Sequence, residues 1–253
     1  MAQPFPRGSG LGDRTRLILF DLDGTLLQPR DPLHSRAFDE VLAEVCGFHD
    51  RIDWTGTSGM VDRAILAKLF QRAGMAPDQA RAALSGSCQK MAASYERGPV
   101  DLSLDRVMPG VRALLERLHE LEVPMGLLTG NVGAIAWGRV AQAGLRHYFI
   151  AGAFGDEAMR RSTLVKRAIR RCEQALSTQF ASSDVIVVGD TPRDIQAAHR
   201  AGVRCVAVAT GEFTAEALES ERPFAIVPDL TGTHAVSELL TSPAPSPFGR
   251  GLG

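Results

Sequence analysis

The sequence predicts an α/β protein: a doubly wound, Rossmann-like parallel sheet with an all-helical domain inserted after its first strand. Three observations predict it. Leu17-Ile18-Leu19-Phe20 is an unbroken apolar run that ends on Asp21 and Asp23, as expected of a strand buried on both faces. From His34 to about Tyr95 the periodicity is helical throughout. From Pro109 onward strands alternate with helices, which predicts parallel strands joined by right-handed crossovers.

The helical stretch carries one apolar stripe of Phe38, Val41, Leu42 and Val45 and another of Val61, Ile65 and Leu69. A third helix is expected to open at Pro77, where proline suits a first turn, with Ala80, Ala83, Leu84 and Met91 facing inward. In the alternating region a helix carries Val111, Leu114, Leu115 and Leu118. Strands are expected at Val123 to Leu128, Tyr148 to Ala153, Val185 to Val188, Cys205 to Ala209 and Ala225 to Val227. A helix with Leu164, Val165, Ala168, Ile169 and Cys172 on one side follows the third strand. The expected domains are a core of residues 16–28 and 101–240 and a helical insert at 29–100. Residues 1–15 and 241–253, rich in Gly and Pro without apolar periodicity, read as disordered tails.

Composition narrows the class of function. The hydrophobic fraction is 45%, the charged fraction 23% and the net charge -1, which argues against general affinity for nucleic acid or acidic membranes. No run approaches the roughly 20 apolar residues of a membrane span, so a cytoplasmic protein is expected. Cys46, Cys88, Cys172 and Cys205 are widely spaced within apolar patterns and read as reduced thiols. The histidines show no ligand spacing, and Asp62 and Arg63 read as a solvated helix face.

Polar residues gather at the carboxyl ends of the first, second and fourth expected strands. A doubly wound sheet that returns to place its fourth strand beside its first brings these ends together at the switch point, where such sheets bind ligands. One site then contains Asp21, Asp23, Thr129, Asn131, Asp190 and Asp194. So many carboxylates cannot ionise together without a cation. Oxygen ligands without His or Cys select a hard ion, Mg²⁺ first, and Mg²⁺ commonly binds substrate phosphate.

Asp21-Leu22-Asp23-Gly24-Thr25-Leu26, Thr129-Gly130-Asn131 and Gly189-Asp190-Thr191-Pro192-Arg193-Asp194, in that order, resemble the motifs of the haloacid dehalogenase superfamily. The place of the insert is similar to that in its phosphoglycolate-phosphatase-like branch. The resemblance covers about Arg16 to Leu240. It implies a phosphatase for a small phosphorylated metabolite, with Asp21 the nucleophile that forms an aspartyl-phosphate and Asp23 the acid and base. Thr25 would steady the nucleophile, and Thr129, Gly130 and Asn131 would bind phosphoryl oxygens. Mg²⁺ would sit on Asp21, the Asp23 carbonyl and Asp190, with Asp194 holding its waters. The family's usual lysine before the fourth helix is missing; Arg161 stands at that helix start and Lys166 farther inside, with Arg161 favoured. Trp54, Thr57 and Ser58 lie in a turn-rich stretch of the insert suited to facing substrate. A phosphotransferase of the mutase type and a non-catalytic binding module are the alternative readings.

Overall fold

A computed structural model describes residues 16–98 and 107–242. Of the expected tails, residues 1–15 and 243–253 lie outside the described residues, as do residues 99–106 at the second joint of the insert.

The expected sheet is present. Its strands are β1 (Leu17–Phe20), β2 (Met125–Leu128), β3 (Gly152–Ala153), β4 (Val185–Gly189), β5 (Arg204–Val208) and β6 (Ala225–Val227). They run parallel in the order β3-β2-β1-β4-β5-β6. All four residues of β1 are fully buried because alternate side chains serve opposite layers. Ile18 and Phe20 pack with Leu114 and Leu115 of α4 (Val111–Glu120), Ala136 and Val140 of α5 (Gly133–Gln142) and Leu240 of α9 (Thr233–Thr241). Leu17 and Leu19 pack with Leu164, Val165 and Ala168 of α6 (Arg161–Leu176) and Ile195 and Ala198 of α7 (Pro192–Ala201). The short α8 (Ala215–Ser220) adds Leu218 to this second layer.

Several boundaries differ from the expectation: β2 opens at Met125 and not Val123, and β5 lies one residue earlier than read. The third strand shortens to two residues, because the Tyr148 amide turns back to donate to the Leu145 carbonyl (3.2 Å) and its hydroxyl donates to Glu116 Oε2 on α4 (2.5 Å). Arg146–Tyr148 is thus a 3-10 turn. At the other end, α9 continues to Thr241, where the sequence read as tail, because Val236 and Leu240 bury against the sheet layer.

Between β1 and α4 lie α1 (Pro32–Cys46), α2 (Asp62–Arg72) and α3 (Pro77–Glu96). Asp31 caps α1, accepting hydrogen bonds from the Leu33 and His34 amides at 2.8 and 3.4 Å, and Pro32 fits the first turn. The helices enclose their own apolar cluster of Phe38, Leu42, Leu66, Leu69, Phe70 and Met91, with the expected Val45 and Ala83 at its rim. Val132 and Ile135, at the start of α5, close that cluster from the sheet side. No described helix is long and apolar enough to cross a membrane.

Phe70 is fully buried in the insert's cluster. Phe70→Ala is expected to cost about 3–5 kcal/mol, measured by urea denaturation, because the surrounding helices cannot collapse onto the lost ring.

Candidate active site

The strand order puts β2, β1 and β4 side by side, so Thr129, Asp21 and Asp190, each directly after its strand, share one end of the sheet. The chain leaves β1 toward β2 on one side and returns to β4 on the other, so this end is the topological switch point.

Asp21, Asp190 and Asp194 are all buried, and an oxygen of each lies within 4.8 Å of the others. Asp194 reaches the group from the first turn of α7. Its Oδ2 accepts hydrogen bonds from the Thr191 amide (3.1 Å) and hydroxyl (2.6 Å), one half of a capping box that Thr191 completes by capping the Asp194 amide. The loop after β1 can approach because residue 24 is glycine. Its φ is +78°, and a Cβ there would stand 2.2 Å from Asp190 Oδ2. Thr25, expected beside Asp21, instead donates its hydroxyl to Asp190 Oδ1 at 3.3 Å.

Arg161 is the cation among these acids. It opens α6, is 7% exposed, and its Nη2 donates to Asp21 Oδ1 and to the Leu128 carbonyl (3.3 Å) and ion-pairs with Asp194 Oδ1 at 2.6 Å. Its Nη1 donates to the Gly59 carbonyl of the insert at 3.3 Å. Lys166 lies on an exposed face of α6, about 140° around the helix from Arg161 at 3.6 residues per turn, and joins none of these contacts. Burial pushes the Asp21 carboxyl above the ordinary carboxylate range; Arg161 opposes the shift, and the Asp194 and Asp23 charges add to it. Burial raises Asp190 in the same way, with Asp21 and Asp194 adding to it. One guanidinium therefore does not balance three carboxylates.

Asp23 belongs to a second cluster. Its Oδ2 accepts from Asn131 Nδ2 at 2.8 Å, and its Oδ1 ion-pairs with Arg139 Nη1 at 2.7 Å. Burial works to raise the Asp23 carboxyl, but Arg139, His34 and the Asn131 bond outweigh it and hold it below the ordinary range. Thr129 is buried and its Oγ1 accepts the Asn131 amide at 3.2 Å.

The insert sits directly on this loop. The Asp62 amide donates to the Gly130 carbonyl (2.8 Å), and the Arg63 amide to the Gly155 carbonyl (3.2 Å). A Cβ at Gly130 would lie 2.1 Å from the Met60 carbonyl oxygen, so glycine alone lets the two chains meet here. Asp62, read from sequence as solvated, is 2% exposed: its Oδ2 accepts from the Val132 amide and bonds to His34 Nε2, both at 2.8 Å. A long-range partner on the core made that acid buried, which helical periodicity cannot reveal. Arg63, also read as solvated, is partly buried and donates to the Asp156 carbonyl at 3.3 Å. In the turn-rich stretch, Trp54 is exposed and set edge-on to Phe38, and the Thr57 hydroxyl donates to the Trp54 carbonyl at 2.6 Å. Ser58 and Gly56 offer their carbonyls to Arg193, the latter at 3.1 Å.

Arg139 went unread in the sequence. The sign was available: Ile135, Ala136 and Val140 form the buried stripe of α5, and Arg139 stands inside it. A cation on an apolar stripe demands a buried acid.

The three-carboxylate group fits a hard divalent cation. Its donors are oxygens only, their charge exceeds that of Arg161, and Asp194 Oδ1 is buried with an ion pair but no hydrogen-bond donor among the described residues.

A family model described as haloacid dehalogenase-like hydrolase matches residues 15–202. Among curated proteins, the chain is similar to phosphoglycolate phosphatase of Pseudomonas putida, 29% identical over 224 residues, covering 87% of this chain and 78% of that protein. The phosphoglycolate phosphatase of Pectobacterium atrosepticum is 28% identical over 222 residues, covering 82% of this chain and 86% of its own. Among solved structures, a hydrolase from Pseudomonas syringae superposes with a TM-score of 0.65 at 22% identity, covering 90% of this chain and all of that one. CbbY from Rhodobacter sphaeroides in complex with phosphate superposes at 0.64 with 20% identity, over 86% of this chain and 95% of its own. With the matched region spanning all three motifs and strands β1 to β4 that carry them, the chain belongs to the haloacid dehalogenase-like hydrolase family.

Proposed function

We propose that this protein hydrolyses the phosphomonoester of a small metabolite in a Mg²⁺-dependent reaction, through an aspartyl-phosphate on Asp21, beneath a cap formed by α1 to α3. The class of enzyme, a phosphoric monoester hydrolase, follows from the family and from relatives named phosphoglycolate phosphatase. The observation that carries the finer reading is the meeting of Asp21, Asp190 and Asp194 with Arg161 at the switch point.

In this reading an oxygen of Asp21 attacks phosphorus in line as the bond to the leaving oxygen breaks. Asp23 gives that oxygen a proton; the charge of a phosphoryl group bound beside it raises the carboxyl that Arg139 holds down in the free protein. Left ionised, a form Arg139 favours, it then takes a proton from the water that attacks phosphorus and frees phosphate from Asp21. Asp21, Asp190 and the Asp23 carbonyl would hold Mg²⁺, with Asp194 steadying its waters, and the ion would supply neutralisation of phosphoryl charge. Arg161 supplies the cation that the missing lysine leaves open; its buried Nε has no acceptor among the described residues, and a phosphoryl oxygen would satisfy it. Lys166 is too exposed for that role. Thr129 and the backbone of Gly130 and Asn131, at the start of α5, complete the phosphate pocket. The insert excludes water, and its 54–58 stretch, with Trp54, Thr57 and Ser58, borders the substrate.

Phosphate release from a panel of phosphorylated metabolites, with and without Mg²⁺, tests the reading. Asp21→Asn is expected to abolish release in every case while circular dichroism stays that of the wild type; residual turnover near the wild-type rate would overturn Asp21 as nucleophile.

The raised Asp21 and Asp190 carboxyls give a second expectation. In the unfolded chain these acids lose their protons near pH 4 or so, whereas the folded protein keeps them to higher pH. Their contribution is therefore fully present below the unfolded value and lost as pH rises through the folded values. Melting without metal should fall as pH rises toward neutrality, and added Mg²⁺ should raise it more at about pH 8 than at about pH 5. Calorimetry at the two pH values reads both effects.

A further inference from the structure

Arg139 stands on α5, about two turns beyond the Thr129-Gly130-Asn131 loop, and is 5% exposed. Its guanidinium spends its donors in two directions. Toward the site, Nη1 pairs with Asp23 Oδ1 (2.7 Å) and donates to Asn131 Oδ1 (2.9 Å). Toward the insert, Nε pairs with Asp31 Oδ2 (3.1 Å) and Nη2 donates to the Gln28 carbonyl (3.3 Å). Asp31 caps α1, and its Oδ2 also accepts the Tyr95 hydroxyl of α3 at 3.1 Å.

Asp23 is thus held twice by one residue, directly and through Asn131, whose amide nitrogen donates to the other Asp23 oxygen. The Asp23 side chain is 30% exposed, the most open of the site's acids, and among the described residues Arg139 and Asn131 hold it. Without the fork it has a free torsion and open space to turn into. The same fork ends on the connection into the insert, so the setting of Asp23 and the seat of α1 share one cation.

We propose that Arg139 is a positioning residue: it sets Asp23 for proton transfer and ties that setting to the seating of the helical insert. The proposal rests on the phosphatase reading above, in which Asp23 protonates the leaving oxygen. A misplaced Asp23 harms poor leaving groups most, since a good one departs without a proton.

The test compares phenyl phosphate, whose phenoxide leaves poorly, with p-nitrophenyl phosphate, whose phenoxide leaves readily. It uses the full chain with Mg²⁺, wild type, Arg139→Lys and Arg139→Gln. Arg139→Lys keeps the charge against Asp23 and Asp31 and so preserves the fold, which circular dichroism verifies. In both variants kcat on phenyl phosphate should fall about tenfold or more beyond the fall on p-nitrophenyl phosphate, with KM for each changed less than about threefold and the Lys variant retaining more. Equal losses on the two esters, or wild-type kinetics in Arg139→Lys, would overturn the positioning role. A wild type inert toward both esters would instead sink the phosphatase reading itself, together with what rests on it.

Discussion

Asp21, Asp190 and Asp194 are buried at the end of an apolar sheet with Arg161 as their shared cation, and much of the surrounding structure exists to keep them there. Like charges in such a place repel and lose their hydration, so each must be held by its own element. β1 and β4, buried on both faces, deliver Asp21 and Asp190 from adjacent strands. The capping box at the start of α7 fixes Asp194, and the start of α6 carries Arg161 inward. The glycines at 24, 189 and 211 remove side chains that would push the cluster open. The cost of assembling this group is offset by an extensive apolar core, and its unbalanced charge is what makes the site receptive to a cation.

Two arginines divide the labour. Arg161 serves the acids that ionise with difficulty, whereas Arg139 serves Asp23, whose carboxyl is held down. Both also touch the connections of the insert: Arg161 at the Gly59 carbonyl, Arg139 at Asp31 and the Gln28 carbonyl. The helical insert is therefore seated by the same cations that order the acids. Its other polar fastenings include backbone bonds at Gly130 and Gly155, the Asp62 carboxylate on the Val132 amide and Arg193 on the Gly56 and Ser58 carbonyls. These polar ties surround an apolar contact, where Val132 and Ile135 close the insert's own cluster.

The sheet, the insert and the meeting of the three motifs were legible because each leaves a local mark: a buried apolar run, a helical stripe, an acid after a strand. Arg161 was legible as a helix-start residue opposite Asp21. Asp62 was not, since a buried charge is recognised by its partner and that partner lies on a distant segment; Arg139 left a mark inside the apolar stripe of α5, but the acids it serves are equally distant. Tyr148 shows the same limit at a strand boundary, where one hydroxyl bound to Glu116 and a turned amide outweigh an extended apolar pattern.

The stretch at Gly56 to Met60 is fastened through main-chain oxygens: Gly56 and Ser58 to Arg193, Gly59 to Arg161, and Met60 packed on Gly130. Such anchoring is indifferent to the identity of Ser58, whereas Thr57 adds a side-chain bond to the Trp54 carbonyl. In the proposed reading, where this stretch borders the substrate, a changed side chain at Ser58 alters what the substrate meets and leaves the main-chain anchors and the acid cluster beneath in place.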